Sequence, residues 1–174
     1  MIMDEFWEKV GNGISLLNEW VGKAASWLTL FLVLIVGIDV ISRYFFNTTK
    51  NWVLELEWYL FATIFLLGAS NALKQDKHVR VDLFYSKFSK KDKALVNFWG
   101  TLLFLIPWCS FVMISSFNYA YESFVIGERS PNPGGLPALY LIKGMIPLGS
   151  FLLLMQGIAL LINSALLLRK KDRS

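Results

Sequence analysis

Four long runs of apolar residues most constrain what this chain can fold into. They cover residues 27–46, 53–73, 94–119 and 138–168. A helix needs about 20 predominantly apolar residues to cross the hydrocarbon core of a bilayer. Because lipid offers no hydrogen bonds to the backbone, such runs cross as helices. The sequence therefore predicts an all-α membrane protein, with four transmembrane helices in one domain spanning residues 1–174.

The distribution of basic residues predicts the orientation of these helices. The loop at 74–93 and the tail at 169–174 carry most of them: Lys74, Lys77, Arg80, Lys87, Lys90, Lys91, Lys93, Arg169, Lys170, Lys171 and Arg173. The first loop offers only Lys50, and the loop at 120–137 offers only Arg129. Cytoplasmic loops are enriched in Lys and Arg. Both termini and the middle loop are therefore expected in the cytoplasm.

Cysteine and histidine usage excludes several classes of membrane enzyme. Cys109 is the only cysteine and His78 the only histidine. An internal disulfide, a bis-histidine haem site and a zinc site built from several His and Cys are therefore unavailable. No catalytic triad or phosphate-binding loop is visible either, so the sequence predicts neither enzymatic activity nor a cofactor. The net charge of +4 reflects basic loops beside apolar runs, so we do not expect nucleic acid as a partner.

Two segments have the spacing of amphipathic helices that lie at the membrane surface. Within residues 1–26, apolar residues recur every three or four positions: Phe6, Val10, Ile14, Leu17 and Val21. Residues 81–88 of the middle loop repeat the pattern, and the basic residues expected to contact lipid head groups are Arg80, Lys87, Lys90 and Lys91. For the first segment, packing against a partner subunit is an equally open interpretation.

Three ionisable residues near the first loop suggest a structural charge cluster. Asp39 and Arg43 lie four residues apart, on one face of the first helix. Arg43 precedes the loop and Glu55 follows it by the same number of residues, which places both at the same depth in antiparallel helices. We expect an Asp39–Arg43–Glu55 cluster that fastens the two helices. Its position near one surface argues against an ion-translocation site, which usually lies at the midplane.

Other residues are candidates for contact with a partner: Trp52, Glu57, Gly68, Ala72 and Arg129. Glu57 is rotated about 200° from Glu55 on a helix, so it is not expected to join the cluster. Gly68 and Ala72 form a small-xxx-small pair suited to close helix packing. The loop at 120–137 contains a turn-forming run, Ser130 to Pro137. This loop either connects two distant helix ends or presents a docking surface.

Several short motifs resemble a known family, the small membrane subunit (DctQ-like, Q subunit) of tripartite ATP-independent periplasmic (TRAP) transporters. The matching residues are Ser42-Arg43-Tyr44-Phe45-Phe46, then Trp52, Glu55, Leu56 and Tyr59, then Leu67-Gly68-Ala69, and His78-Val79-Arg80-Val81-Asp82. One position departs from the family pattern. Many members carry two adjacent acids after the Trp, whereas this chain has Leu54 before Glu55 and a second acid at Glu57.

The resemblance implies a transport role in the bacterial inner membrane. A DctQ-like chain would act as a scaffold for a large permease subunit, which holds the sodium and substrate sites. It would also help a soluble periplasmic binding protein to dock, in sodium-driven uptake of an organic acid. The alternative is a self-sufficient four-helix carrier that works as a homodimer. Such a carrier needs an acid deep in a span, whereas Asp39 has Arg43 as a neutralising neighbour.

Overall fold

The computed structural model describes residues 2–75 and 88–171. Its elements, in chain order, are α1 (Ile2–Phe46), α2 (Asn51–Lys74), α3 (Lys90–Gly100), a π-helical segment (Thr101–Leu105), α4 (Ile106–Val125) and α5 (Tyr140–Lys171). The segment joining α3 to α4 makes them one span, Lys90–Val125. Within these described ranges, four helices are long and apolar enough to cross a membrane. This result confirms the predicted all-α, four-span fold class.

Helix α1 differs from the prediction, because the expected flat N-terminal helix is not a separate element. Residues 2–46 form one helix of 45 residues, about 67 Å long at 1.5 Å per residue. Its first half runs along the C-terminal half of α5, where Asp4 meets Arg169 at 2.9 Å. The buried positions there are Gly11, Asn18, Gly22 and Ala25. Small and amide residues therefore face the protein, and Phe6 and Leu17 of the apolar stripe stay exposed.

The middle loop falls largely outside the described residues, including its predicted amphipathic stripe from Val81 and the basic residues Arg80 and Lys87. The description resumes at Phe88, just before α3. Ser89 caps α3: its hydroxyl accepts from the Asp92 amide, and the Asp92 carboxylate accepts from the Ser89 amide. This reciprocal pair satisfies two backbone donors that a helix start leaves free. Lys90 and Lys91 are exposed in the first turn.

The π-helical segment has a local cause. Pro107 has no backbone N–H, and its ring crowds the carbonyl one turn earlier. The wider turn at Thr101–Leu105 accommodates this loss within a helix that continues on both sides. Proline therefore changes the winding of the third span without ending it.

Helix α5 is the centre of the bundle, since it packs against α1, α2, α3 and α4. It approaches α2 closely at Gly149. A Cβ atom there would lie 2.8 Å from the backbone oxygen of Leu66. Only glycine permits this separation, because a methyl group would overlap a backbone atom that cannot rotate away. Pairwise contacts also join α1 to α2, so α1, α2 and α5 form a three-helix core flanked by α4.

Candidate functional site

A group of hydrogen-bonded polar side chains lies at one end of the bundle, which we call the loop end. It contains the connection at 47–50 and the loop between α4 and α5. The key residue is Glu55 in the second turn of α2, which is only 4% exposed. One of its carboxylate oxygens accepts hydrogen bonds from the Ser130 hydroxyl and from Asn132 Nδ2 at 2.9 Å. The other accepts from the Leu136 amide at 2.6 Å. A buried carboxylate is stable only when its oxygens are satisfied in this way.

These bonds hold a structured segment, residues 128–139, which we call the Glu55 loop. Backbone hydrogen bonds join its two ends: the Ser130 amide donates to the Leu136 oxygen at 3.2 Å, and the Leu139 amide donates to the Glu128 oxygen at 3.0 Å. Asn51 Nδ2 donates to the Pro133 oxygen at 2.9 Å. A side chain on Gly135 would collide with Ser130 and with the Glu55 carboxylate. The loop therefore has a defined shape fixed over the first turn of α2.

An ion pair fixes the other side of the Glu55 loop. Lys143 Nζ donates to the Glu128 carboxylate and lies 4.0 Å from the centre of the Tyr119 ring. The hydrogen bond from Lys143 lowers the pKa of the Glu128 carboxyl below its usual value. Because the pKa is lowered, Glu128 stays ionised when the pH falls into the range where a free Glu takes up a proton. The loop is thus joined to α2 through Glu55 and to α5 through Lys143.

The predicted three-residue charge cluster needs correction. Asp39 and Arg43 do form an ion pair on one face of α1, and Asp39 is buried. Glu55 is not part of it, because its carboxylate is occupied by donors of the loop between α4 and α5. Equal distance from the first loop does not determine the direction of the Glu55 side chain around α2.

Glu57 lies closer to the Asp39–Arg43 pair than predicted, since both charges act on its carboxyl group. One carboxyl oxygen of Glu57 is enclosed and has no hydrogen-bond partner in the described part of the chain. Glu57, rather than Glu55, is therefore the acid of α2 that the charges of the α1 ion pair influence.

Double-mutant cycles test whether Glu55 interacts with the Asp39–Arg43 ion pair. We expect Arg43 and Asp39 to show a coupling of about 1 kcal/mol in unfolding free energy, because the pair is half exposed at Arg43. We expect the coupling between Arg43 and Glu55 to be close to zero. The measurement is the unfolding free energy of single and double alanine variants in detergent. Equal coupling in both pairs would show that Glu55 does share the cluster.

The remaining candidate residues occupy different surfaces. Trp52 is partly exposed and lines a cavity of about 390 Å³ together with Asp39 and Lys50. A Cβ atom on Gly68 would meet no atom within 4 Å, so this face of α2 is uncovered, and Ala72 is half-buried one turn later. Arg129 is exposed and forms no ion pair with the residues described. The structure does not bring these positions into one site.

The middle of each span offers no group for proton or ion chemistry. Residues 24–38, 58–73, 94–121 and 144–168 contain no Asp, Glu, Lys, Arg or His. In the described ranges, no three His, Cys, Asp or Glu side chains are close enough to hold a metal ion. The ionisable groups of the spans lie towards the helix ends.

Sequence reasoning missed the donors that bind Glu55 and the Glu128–Lys143 pair. The sequence identifies Ser130 and Asn132 only as turn formers. Nothing in the local sequence indicates that they contact Glu55, which lies 75 or more residues away. Lys143 carried a usable signal, because an isolated lysine in an apolar run needs an acidic partner. Glu128 is the nearest acid before it in the sequence.

Together, the four spans and the loop-end site define a multi-pass membrane protein with a folded extramembrane loop. The chain belongs to the DctQ family: the family model described as "Tripartite ATP-independent periplasmic transporters, DctQ component" matches residues 32–167. It is therefore a small permease component of a TRAP transporter, a multi-pass protein of the inner membrane. This finding confirms the resemblance noted in the sequence.

Two curated relatives from Haemophilus influenzae match the chain. "Sialic acid TRAP transporter permease protein SiaT" (strain 86-028NP) is 30% identical over 101 residues, which are 58% of this chain and 16% of the relative. "Putative TRAP transporter small permease protein" (strain ATCC 51907 / DSM 11121 / KW20 / Rd) is 28% identical over 102 residues, 56% of this chain and 62% of the relative. The chain thus spans less than two thirds of either relative. No solved structure matches it.

Proposed function

We propose that this chain is a scaffold subunit that carries no substrate itself. It would assemble with a large permease subunit and help a soluble periplasmic binding protein to dock, in sodium-driven uptake of an organic acid. In this proposal both termini and the middle loop are cytoplasmic, so the loop end faces the periplasm. The organic acid is the substrate of the whole transporter, and its site lies in the large subunit.

The observation that carries this proposal is the contrast between the loop end and the middle of the bundle. A carrier binds its substrate and coupling ion near the midplane, through charged groups or broken helices. Here each span has a long middle without ionisable residues. The most elaborate polar structure is instead the Glu55 loop, outside the hydrocarbon. A fixed loop with an exposed cation is suited to contact another protein.

The relative SiaT supports a larger membrane partner. The matched part of that protein is only 16% of its length, and its name describes the whole as a permease for sialic acid. A segment related to this chain is therefore carried on a much longer permease polypeptide. We infer that this chain associates non-covalently with a separate permease of the same kind. The carboxylic acid in the relative's name motivates an organic acid as the substrate class.

The test is uptake by proteoliposomes under an inward sodium gradient, with sialic acid and a panel of dicarboxylates and keto acids as probes. The chain is reconstituted alone, or together with the large permease from the same organism, each with and without the binding protein. We expect accumulation only when all three components are present. Accumulation by this chain alone would overturn the scaffold proposal and favour the homodimeric carrier.

A charge change at Arg129 tests the docking surface. Arg129→Ala removes an exposed cation that makes no ion pair among the described residues, so the fold should be unaffected. We expect binding of the periplasmic protein to weaken by about fivefold, as for a rim charge worth about 1 kcal/mol. Co-purification with the large permease should be unchanged. Lys50→Ala is the matched control, since Lys50 is also exposed at the loop end. Equal binding by both variants and the wild type would exclude Arg129 from the docking surface.

A further inference from the structure

A second polar site lies at the opposite end of the bundle, where α2 ends at Lys74. A cavity of about 510 Å³ opens there between α1, α2 and α5. We call it the amide cavity, because its polar lining consists of Asn12, Ser15, Lys74, Gln156 and Asn163. Nothing in the proposed transport role uses these residues.

The polar wall of this cavity is held in place by a buried network. Gln156 is 4% exposed. Its oxygen accepts from Asn18 Nδ2 at 3.0 Å, and its nitrogen donates to the Ser15 hydroxyl at 3.3 Å. Asn18 is completely buried. Side chains fixed in this way present their remaining hydrogen-bonding groups in a defined direction, which favours binding of a ligand over a fluctuating water cluster.

The local charge favours an anion. Glu19 accepts from Lys74 at 2.5 Å and from Lys23 at 2.8 Å. Two ammonium groups share one carboxylate, so the cluster has a net charge of +1. Lys74 lines the cavity, whereas the Lys23 side chain is 70% exposed to the surroundings. A phosphate oxygen in the cavity would therefore meet an ammonium group whose charge is only partly compensated.

The position of the cavity indicates an amphiphilic ligand. Its apolar lining consists of Leu16, Leu73 and Leu160. Trp20 is 76% exposed on α1, one turn from Leu16. Exposed Trp and Lys residues mark the boundary between hydrocarbon and head groups. A ligand here has one polar part against the amides and one apolar part along the leucines.

We propose that the amide cavity binds the head group of an anionic phospholipid of the phosphatidylglycerol class. Lys74 and Ser15 would contact the phosphodiester, and the amides of Asn12, Gln156 and Asn163 would contact the glycerol hydroxyls. The acyl chains would leave along the leucine side into the surrounding lipid. The same phosphate chemistry could be supplied by free phosphate, so the test separates the two sources. The site does not depend on the proposed transport function.

The experiment uses the full chain in nanodiscs of phosphatidylcholine alone or with added phosphatidylglycerol. Bound lipid is counted by native mass spectrometry after gentle delipidation, and thermal unfolding is measured in parallel. We expect the wild type to retain phosphatidylglycerol about fivefold more than phosphatidylcholine, as for one lysine at an anionic surface. Lys74→Gln should lose this preference. Lys9→Gln is the matched control, because Lys9 is an exposed cation on α1 that does not line the cavity.

A second variant keeps the test decisive if Lys74→Gln does not fold. Asn163 is exposed at the rim of the cavity, so Asn163→Leu should fold. It removes one contact to the glycerol hydroxyls and should retain less phosphatidylglycerol than the wild type does, while Lys74 keeps part of the preference. The proposal is overturned if the wild type shows no preference, or if Lys74→Gln and Lys9→Gln retain equal amounts of phosphatidylglycerol. It is also overturned if inorganic phosphate in phosphatidylcholine nanodiscs gives the full stabilisation, because the ligand would then be a soluble anion.

Discussion

Glu55→Ala should unfold the Glu55 loop while leaving the four spans intact. The substitution removes the common acceptor of the Ser130 hydroxyl, the Asn132 amide and the Leu136 backbone amide. Three donors would then be left without a partner, which costs more than the bonds themselves contribute. Amide hydrogen exchange in residues 128–139 should accelerate on the order of tenfold or more. Exchange within α5 should not change.

Two further variants make this result interpretable. Glu55→Gln keeps one carbonyl oxygen as an acceptor, so its loop should exchange at an intermediate rate. Glu122→Ala removes an exposed carboxylate from the same end of the bundle and should leave the loop protected. If Glu55→Ala exchanges no faster than Glu122→Ala, the loop is held by its own backbone bonds and Glu55 is dispensable. Under the proposed function, loss of loop order should also abolish docking of the periplasmic protein.

Gly149→Ala should destabilise the isolated chain more than any other single-methyl change in α5. The added carbon would lie 2.8 Å from the Leu66 oxygen and 3.0 Å from the Leu66 Cβ. Helices α2 and α5 must then separate. We expect the unfolding free energy to fall by about 1–3 kcal/mol, as is typical of overpacking. The measurement is the thermal midpoint of unfolding in detergent micelles.

Gly144→Ala is the matched control for that prediction. It lies five residues earlier on the same helix, and a Cβ there would meet no atom within 4 Å. Alanine has the higher helix propensity by about 1 kcal/mol, so this variant should melt at the same temperature as the wild type or higher. Equal midpoints for the two variants would show that α2 and α5 do not approach as closely as described.

The number and class of the helices followed from the sequence, because long apolar runs with few charges cross lipid as helices. The ion pair between Asp39 and Arg43 was also predictable, since its spacing of four residues is a local property of a helix. The role of Glu55 was not, because it depends on how α2 is rotated against α5. That rotation is set at Gly149, by contact with Leu66 some 80 residues away in the chain.

The N-terminal half of α1 shows what an apolar stripe leaves undetermined. Five apolar residues at helical spacing predicted either a flat surface helix or a helix packed on a partner subunit, because hydrophobic periodicity identifies a face and not its neighbour. The face that contacts α5 contains Gly11 and Asn18, which a hydropathy pattern scores as unfavourable for burial. Close approach and hydrogen bonding decide helix contacts in membranes more than apolar area does.

The central position of α5 has a consequence for assembly during synthesis. The connection between α1 and α2 is short, and these two helices can pair as soon as both have entered the bilayer. Helix α4 packs against α5, which follows it in the chain. The third span therefore lacks its main packing partner in the membrane until α5 has been translated. If translation stops within α5, α1 and α2 can still pair, but the third span has no helix to pack against. Membrane proteases would then act on an unpacked helix rather than on a smaller bundle.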